Sequence, residues 1–302
     1  MRSAVCSVRA AVALALLAAV GCARPPVTSA SGPDRAGDLR AAVERIASEY
    51  PGAVVAVAVR HPDVRLSVRG GRPFHAASTM KVPVMIEAFR QVEAGRLAWD
   101  QAVRVENRFR SIVDGSEFQI TDDTDDALYG LDSVTVRDLT ERAITTSSNL
   151  ATNLLIELVT ADSVQATADR LGAPGMRVLR GVEDLKAFEA GLSNETTADA
   201  LAALLEALRD GRAVSPGADA EMVEVLSRQT FTETIPAGLP PGTRVANKTG
   251  WITRIHHDAA IVYPENGSPY VLVVLTEGIE DHGEAARLGA AVSRAVWEAL
   301  AE

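Results

Sequence analysis

The chain reads as an α+β protein: one antiparallel five-stranded sheet, divided between the two ends of the sequence, covered by terminal helices and joined to an all-helical part. Three observations predict this. Short β-rich segments occur only at 53–68 and 243–276, the stretch between them carries helical spacing, and the chain closes on a long amphipathic run.

Taken in order, Arg2 and Arg9 precede an unbroken apolar run at 10–20, of secretory-signal length and too short to span a bilayer comfortably. The run ends Ala19-Val20-Gly21-Cys22, which resembles a bacterial lipoprotein cleavage site with Ala where Leu is common. Residues 1–21 are then a signal peptide and Cys22 the lipidated first residue of a membrane-anchored, extracytoplasmic protein. Ordinary cleavage near Ala23, giving a secreted periplasmic protein, is the alternative. Cys6 leaves with the signal, so no disulfide is expected. Residues 22–37, punctuated by Pro25-Pro26, Pro33 and Gly37, read as a flexible linker.

The folded part is expected at 38–302, with its sheet at about 38–72 and 225–302 and its helical part at about 73–224. Leu39, Val43, Ile46 and Ala47 recur at helical spacing over 39–50. Strands follow at 53–59 and 64–68 around the turn His61-Pro62-Asp63. Helices are predicted over 82–93, 136–145, 150–159, 164–171 and 197–208. Strands return at 243–248, 258–263 and 270–276, the last two separated by Asn266-Gly267, and 285–300 is the closing helix. The groove between sheet and helical part is the natural place for a site.

With 30 basic and 40 acidic residues the net charge is −10, and it becomes −12 once Arg2 and Arg9 leave with the signal. That balance excludes nucleic acid as the expected partner, since phosphate binding needs basic patches. Only three of the basic residues are lysines: Lys81, Lys186 and Lys248. Arginine stays charged, whereas an ammonium can shift its pKa and hand over a proton. Lysines kept beside serine and threonine are therefore candidates for chemistry.

Lys81 closes Ser78-Thr79-Met80-Lys81 at the start of a helical run. The two side chains then share a face, near unpaired N–H groups and the positive end of the helix dipole. Such a setting favours an incipient serine alkoxide and loss of the lysine proton. A helix cap with a surface lysine fits the same spacing. Lys248-Thr249-Gly250 ends a strand, where it can supply a charge, a hydroxyl and close backbone approach. Ser147-Ser148-Asn149 opens a helix and fits either an N-cap or a proton shuttle with a substrate amide ligand.

Ser-x-x-Lys, Ser-x-Asn and Lys-Thr-Gly in this order resemble the penicillin-recognising serine enzymes, class A β-lactamases above all. The likeness covers about residues 39–302 and extends to Ala94-Gly-Arg-Leu97, to 134–139 and to the run from Asn149 to Leu155. It implies the β-lactamase and penicillin-binding-protein fold, a β-lactam or peptidoglycan-like small-molecule substrate, no cofactor, no metal and a monomer. By that resemblance Ser78 is the nucleophile and Lys81 relays its proton. Ser147 and Lys248 protonate the leaving nitrogen, Asn149, Thr249 and Lys248 hold substrate, and Gly250 lets it approach. The N–H groups of Ser78 and Trp251 would form the oxyanion hole. Tandem His256-His257 reads as a polar pair on a hairpin, since metal-ligand spacing is missing.

Deacylation in class A enzymes uses a loop glutamate acting through water; the corresponding position here is Glu183. Several features depart from the pattern. The usual Glu-Pro-x-Leu-Asn reads Glu183-Asp-Leu-Lys-Ala, and Asn194 stands where an aspartate usually helps to clamp the loop. Lys186 could pair with Glu183 or simply face solvent. Ser148 replaces the aspartate of Ser-Asp-Asn, Trp251 replaces a small residue, and 111–131 is a longer segment with Asp122, Asp123, Asp125 and Asp126, expected as an acidic flap disfavouring anionic substrates. Three readings follow: a class A-like β-lactamase; a D,D-peptidase or esterase of the same family; or a non-catalytic envelope lipoprotein that binds ligand.

Overall fold

Five segments of the chain pair into one antiparallel sheet in the order β2-β1-β11-β10-β9: β1 (Val54–Arg60), β2 (Arg65–Val68), β9 (Arg244–Ile252), β10 (Ile255–Tyr263) and β11 (Tyr270–Glu277). The structure is a computed structural model that describes residue 1 and residues 34–301. Residues 2–21 of the expected signal, Cys22 and most of the expected linker lie outside the described residues. Helix α1 (Arg35–Ser48) begins three residues inside the stretch read as linker. Among the described residues, no helix is long and apolar enough to cross a membrane.

The central strands are apolar at nearly every position because both faces are covered. Alternate residues of β1 go to opposite cores: Ala56 and Ala58 face the helical part, and Val55, Val57 and Val59 face the terminal helices. The second face is closed by α1 through Leu39 and Val43 and by α9 (His282–Ala301) through Leu288, Val292 and Val296. The small residues Ala56, Ala58 and Ala259 lie on the helical side, in one core with α7 (Ala198–Arg209).

On that side, α2 (Lys81–Glu93) is buried along its whole length from Lys81 to Phe89, a helix enclosed by protein. Around it stand α3 (Val136–Thr145), α4 (Asn149–Val159), α5 (Ala161–Arg170) and α8 (Pro216–Ser227), while the short α6 (Leu185–Glu189) belongs to the loop after Glu183. Thr135 and Asp138 close a capping box on α3. Three two-strand ladders complete the helical part: β3 (Phe74–His75) with β8 (Glu195–Thr196), β4 (Ala102–Arg104) with β7 (Ser133–Thr135), and β5 (Phe109–Arg110) with β6 (Glu117–Phe118). The strand β9 lies at the sheet's edge and so presents Lys248 and its neighbours to the helical part.

Candidate active site

A 3-10 turn, Ala77–Met80, carries Ser78 into the first residue of α2, Lys81. The turn lies against β9 at Gly250. A Cβ there would sit 2.8 Å from both the Ser78 and Thr79 nitrogens, so only glycine lets the Ser78 turn approach the strand this closely. A cleft of about 250 Å³ opens here, lined among others by Ser78, Asn149, Glu183, Trp251 and Asp122.

Lys81 and Lys248 are fully buried behind the cleft and converge on Ser147. Lys81 Nζ donates to the Ser147 carbonyl at 2.5 Å, to Ser147 Oγ at 3.3 Å and to Asn149 Oδ1 at 2.8 Å. Lys248 Nζ donates to Ser147 Oγ at 2.9 Å and to the Thr249 carbonyl at 2.8 Å. Burial lowers the Lys81 pKa to about 7 against the opposing charges of Asp123 and Glu183. Burial, and then the charge of Lys81, push Lys248 well below its ordinary value. Thr249 is buried as well, with its hydroxyl unpartnered by protein. Behind Lys248, burial raises the Asp258 carboxyl to about 6 while it accepts from Asn247 and from the Ile235 N–H.

Glu183 joins the same cleft. Its Oε1 accepts from Asn149 Nδ2 at 3.0 Å, and its Oε2 accepts from the Thr121 N–H at 2.8 Å, the Thr121 hydroxyl at 3.2 Å and the Asp122 N–H at 3.3 Å. Two asparagines one turn apart on α4 hold this loop, since Asn153 bonds both the N–H and the carbonyl of Val182. Gly181 permits that contact, because a Cβ would meet Asn153 Oδ1 at 2.3 Å. Three of the six non-glycine residues with positive φ among those described, Ala77, Ser147 and Glu183, frame the site. Such backbone strain persists only where its surroundings over-determine it.

Every candidate residue except Cys22 is therefore brought to one place, but several expectations are corrected. Lys186 does not pair with Glu183; it turns outward to Asp114 Oδ2 at 2.8 Å and Ser116 Oγ at 2.6 Å. The carboxylate absent from position 148 is resupplied from the long segment. Asp123 accepts from Ser148 Oγ and from the Asn149 and Leu150 N–H groups at 3.2, 2.9 and 2.8 Å, capping α4. The acidic segment is thus divided: Asp125 pairs with Arg142 and Asp123 caps, whereas Asp122 and Asp126 stay exposed and Asp122 lines the cleft. Asn194 closes the loop's neck by bonding the Leu179 and Arg180 N–H groups and the Arg180 carbonyl, while Arg180 reaches the Leu192 carbonyl. The two tandem histidines part company. His257 is buried, with its pKa lowered by burial to about 4, against the His75 carbonyl; His256 meets His282, whose ring lies tilted against Trp251. Sequence reasoning missed Thr121, His75 and Phe188. They lie outside the motifs, and only His75, three residues before Ser78, gave any positional hint.

A family model described as the β-lactamase enzyme family matches residues 38–300. The chain belongs to the β-lactamase enzyme family. Among curated relatives of the β-lactamase family, CTX-M-4 of Salmonella typhimurium is 30% identical over 71% of this chain and 72% of its own. A β-lactamase of Streptomyces cellulosae is 35% identical over 47% of this chain; the match spans about half of that relative, 48%. Of solved structures, PBP-A superposes with a TM-score of 0.76 at 25% identity, over 87% of this chain and 95% of its own. A PBP-A mutant solved as an acyl-enzyme complex with penicillin G gives the same TM-score and identity, over 87% and 96%. The α+β architecture expected from the β-lactamase resemblance is the one found.

Proposed function

We propose that the protein is a serine hydrolase that takes an acyl group onto Ser78 and hydrolyses the β-lactam amide, as a class A-like β-lactamase. The observation that carries this is the convergence of two buried lysines, one brought close to neutral near pH 7, on Ser147 beside the Ser78 turn. Burying two amines side by side is costly, and a protein that only bound ligand would gain nothing from it.

In this reading neutral Lys81 takes the Ser78 proton as Oγ forms its bond to the carbonyl carbon. The oxyanion sits between the N–H groups of Ser78 and Trp251. The carbon–nitrogen bond then breaks, and the nitrogen receives a proton through Ser147 Oγ. A substrate carboxylate would favour the ammonium form of Lys248 and meet the unpartnered Thr249 hydroxyl. Glu183 then takes a proton from water as the water oxygen attacks the acyl carbon; the carbon–oxygen bond to Ser78 breaks and that proton returns to Ser78 Oγ, freeing the acid. The penicillin G adduct of the PBP-A mutant supports a β-lactam as acyl donor.

One observation favours a D,D-peptidase or esterase of the same family instead. Glu183 Oε2 is occupied by three donors, which leaves Oε1 as the one oxygen open to act as a base. Intact mass after mixing with benzylpenicillin separates the two. A transient adduct in the wild type, absent in Ser78→Ala and persistent in Glu183→Gln, supports the β-lactamase. An adduct equally long-lived in wild type and Glu183→Gln supports the peptidase, and no adduct in the wild type overturns both. We also propose an extracytoplasmic, lipid-anchored location through Cys22. The Cys22→Ala protein should then leave the membrane fraction, and its retention there would sink the anchor.

A further inference from the structure

Three side chains of the Glu183 loop are held from outside by one other segment. Glu183 accepts from the N–H groups of Thr121 and Asp122 and from the Thr121 hydroxyl. Asp184 Oδ2 accepts from the Ile112 N–H at 2.9 Å while its Oδ1 caps α6 through Ala187. Lys186 reaches Asp114 and Ser116, and the hydrogen bond from Lys186, followed by those from Ser116, holds the Asp114 carboxyl well below the usual carboxylate range.

The holding segment is itself well defined. Its tip is closed by Ser111 N–H to the Ser116 carbonyl at 2.8 Å and Gly115 N–H to the Ser111 carbonyl at 2.9 Å. Its base is fixed by Asn107, which bonds both the carbonyl and the N–H of Ile120 at 2.9 and 2.7 Å. Beyond Thr121 it continues into Asp122, whose carbonyl accepts from Asn149, and Asp123, which caps α4.

A carboxylate oxygen offers two lone pairs. Three donors fill Oε2 of Glu183. Oε1 carries only Asn149 Nδ2, so it keeps a lone pair free to accept. The strained φ of 61° at Glu183 needs support from both sides, and α4 supplies only one of them.

We propose that segment 111–122 is a positioning strap for Glu183: the Lys186 contact to Asp114 and Ser116 fastens it to the loop, and Thr121 with the Asp122 N–H orients the carboxylate so that Oε1 alone takes the deacylating water. Thr121 and Lys186 are positioning residues, and the inference rests on Glu183 being the deacylating base. The strap governs release of the acyl group and leaves its arrival untouched, because none of its bonds reaches Ser78, Lys81 or Lys248.

The test uses the full chain with benzylpenicillin, reading acylation and deacylation rates separately by stopped-flow and intact mass, with Glu183→Gln as control. Lys186→Asp places two carboxylates together at Asp114. It should slow deacylation about fivefold, as expected for an exposed charge pair reversed, with acylation unchanged. The swap Lys186→Asp with Asp114→Lys should restore the rate. Thr121→Val, which loses only the hydroxyl bond, should slow deacylation about threefold. Amide exchange over 183–189 should rise in Lys186→Asp and fall back in the swap. The strap is overturned if Glu183→Gln accumulates adduct while the strap variants deacylate normally, if acylation and deacylation fall together, or if the swap fails to rescue. If Glu183→Gln deacylates like wild type, or the wild type forms no adduct, the functional reading itself fails and takes the strap with it.

Discussion

Lys81 and Lys248 donate to the same hydroxyl, that of Ser147, at 3.3 and 2.9 Å. One oxygen therefore links the amine at the start of α2 to the amine on the sheet edge. Ser147→Ala should leave the fold intact, since Lys81 keeps its bond to the Ser147 carbonyl, and should slow acylation about 100-fold or more through loss of proton transfer. Normal acylation kinetics in that variant would contradict a relay.

The lowered Lys81 pKa sets the pH dependence. The amine accepts a proton only when neutral, so acylation should rise about tenfold per pH unit below its pKa of about 7 and level off above it. The stability linkage has the same origin and can be read separately. Between about 7 and the ordinary 10.5 the unfolded chain binds the Lys81 proton and the folded chain does not. Stability from this group therefore rises with pH across that window. Urea unfolding at pH 6.5 and at pH 9.5 should show Lys81→Met losing ground relative to wild type as pH rises; a constant difference would refute it.

Asp123 acts on both stability and chemistry. Removing its carboxylate leaves the Asn149 and Leu150 N–H groups without their acceptor while Ser148 still caps α4, so Asp123→Ala should lower unfolding free energy by about 1–2 kcal/mol, measured by urea titration. Its charge also raises the Lys81 pKa, against burial. The kinetic pKa of acylation in Asp123→Asn should accordingly fall below the wild-type value. An unchanged profile would show that Asp123 is a cap and nothing more.

Gly250→Ala sets a methyl 2.8 Å from two backbone nitrogens that cannot rotate away. Overpacking of this kind costs about 1–3 kcal/mol. The displacement falls on the Ser78 N–H, so acylation should drop by more than noncovalent binding weakens. Equilibrium binding of benzylpenicillin to Ser78→Ala with and without Gly250→Ala, set beside acylation rates, separates the two effects.

The candidate site residues were legible because each sits in a short motif whose local structure is dictated nearby. Ser78 and Lys81 are three residues apart at a helix entrance, Ser147 and Asn149 open the next long helix, and Lys248 to Gly250 ride one strand. Strand edges were less so. The chain turns from β9 to β10 within residues 253–254, and the flanking Trp251-Ile252 and Ile255-His256 carried no pattern that marked them as paired. Helix α8 escaped notice although Ser215 and Pro216 form a standard start, because its apolar residues are spread around the helix.

Periodicity by itself determined the α+β layout, and the order of three short motifs carried the resemblance to the penicillin-recognising serine enzymes, because both are properties of the chain itself. The partners of Glu183, Lys186 and Asn149 were decided only by tertiary structure. Thr121 lies 62 residues from Glu183, and Asp114 lies 72 from Lys186. No local rule selects one aspartate among several at such separations. That choice is made when α4 and the strap pack against the loop and the buried N–H groups of the helix start take the nearest carboxylate, which is Asp123, leaving Lys186 to the strap.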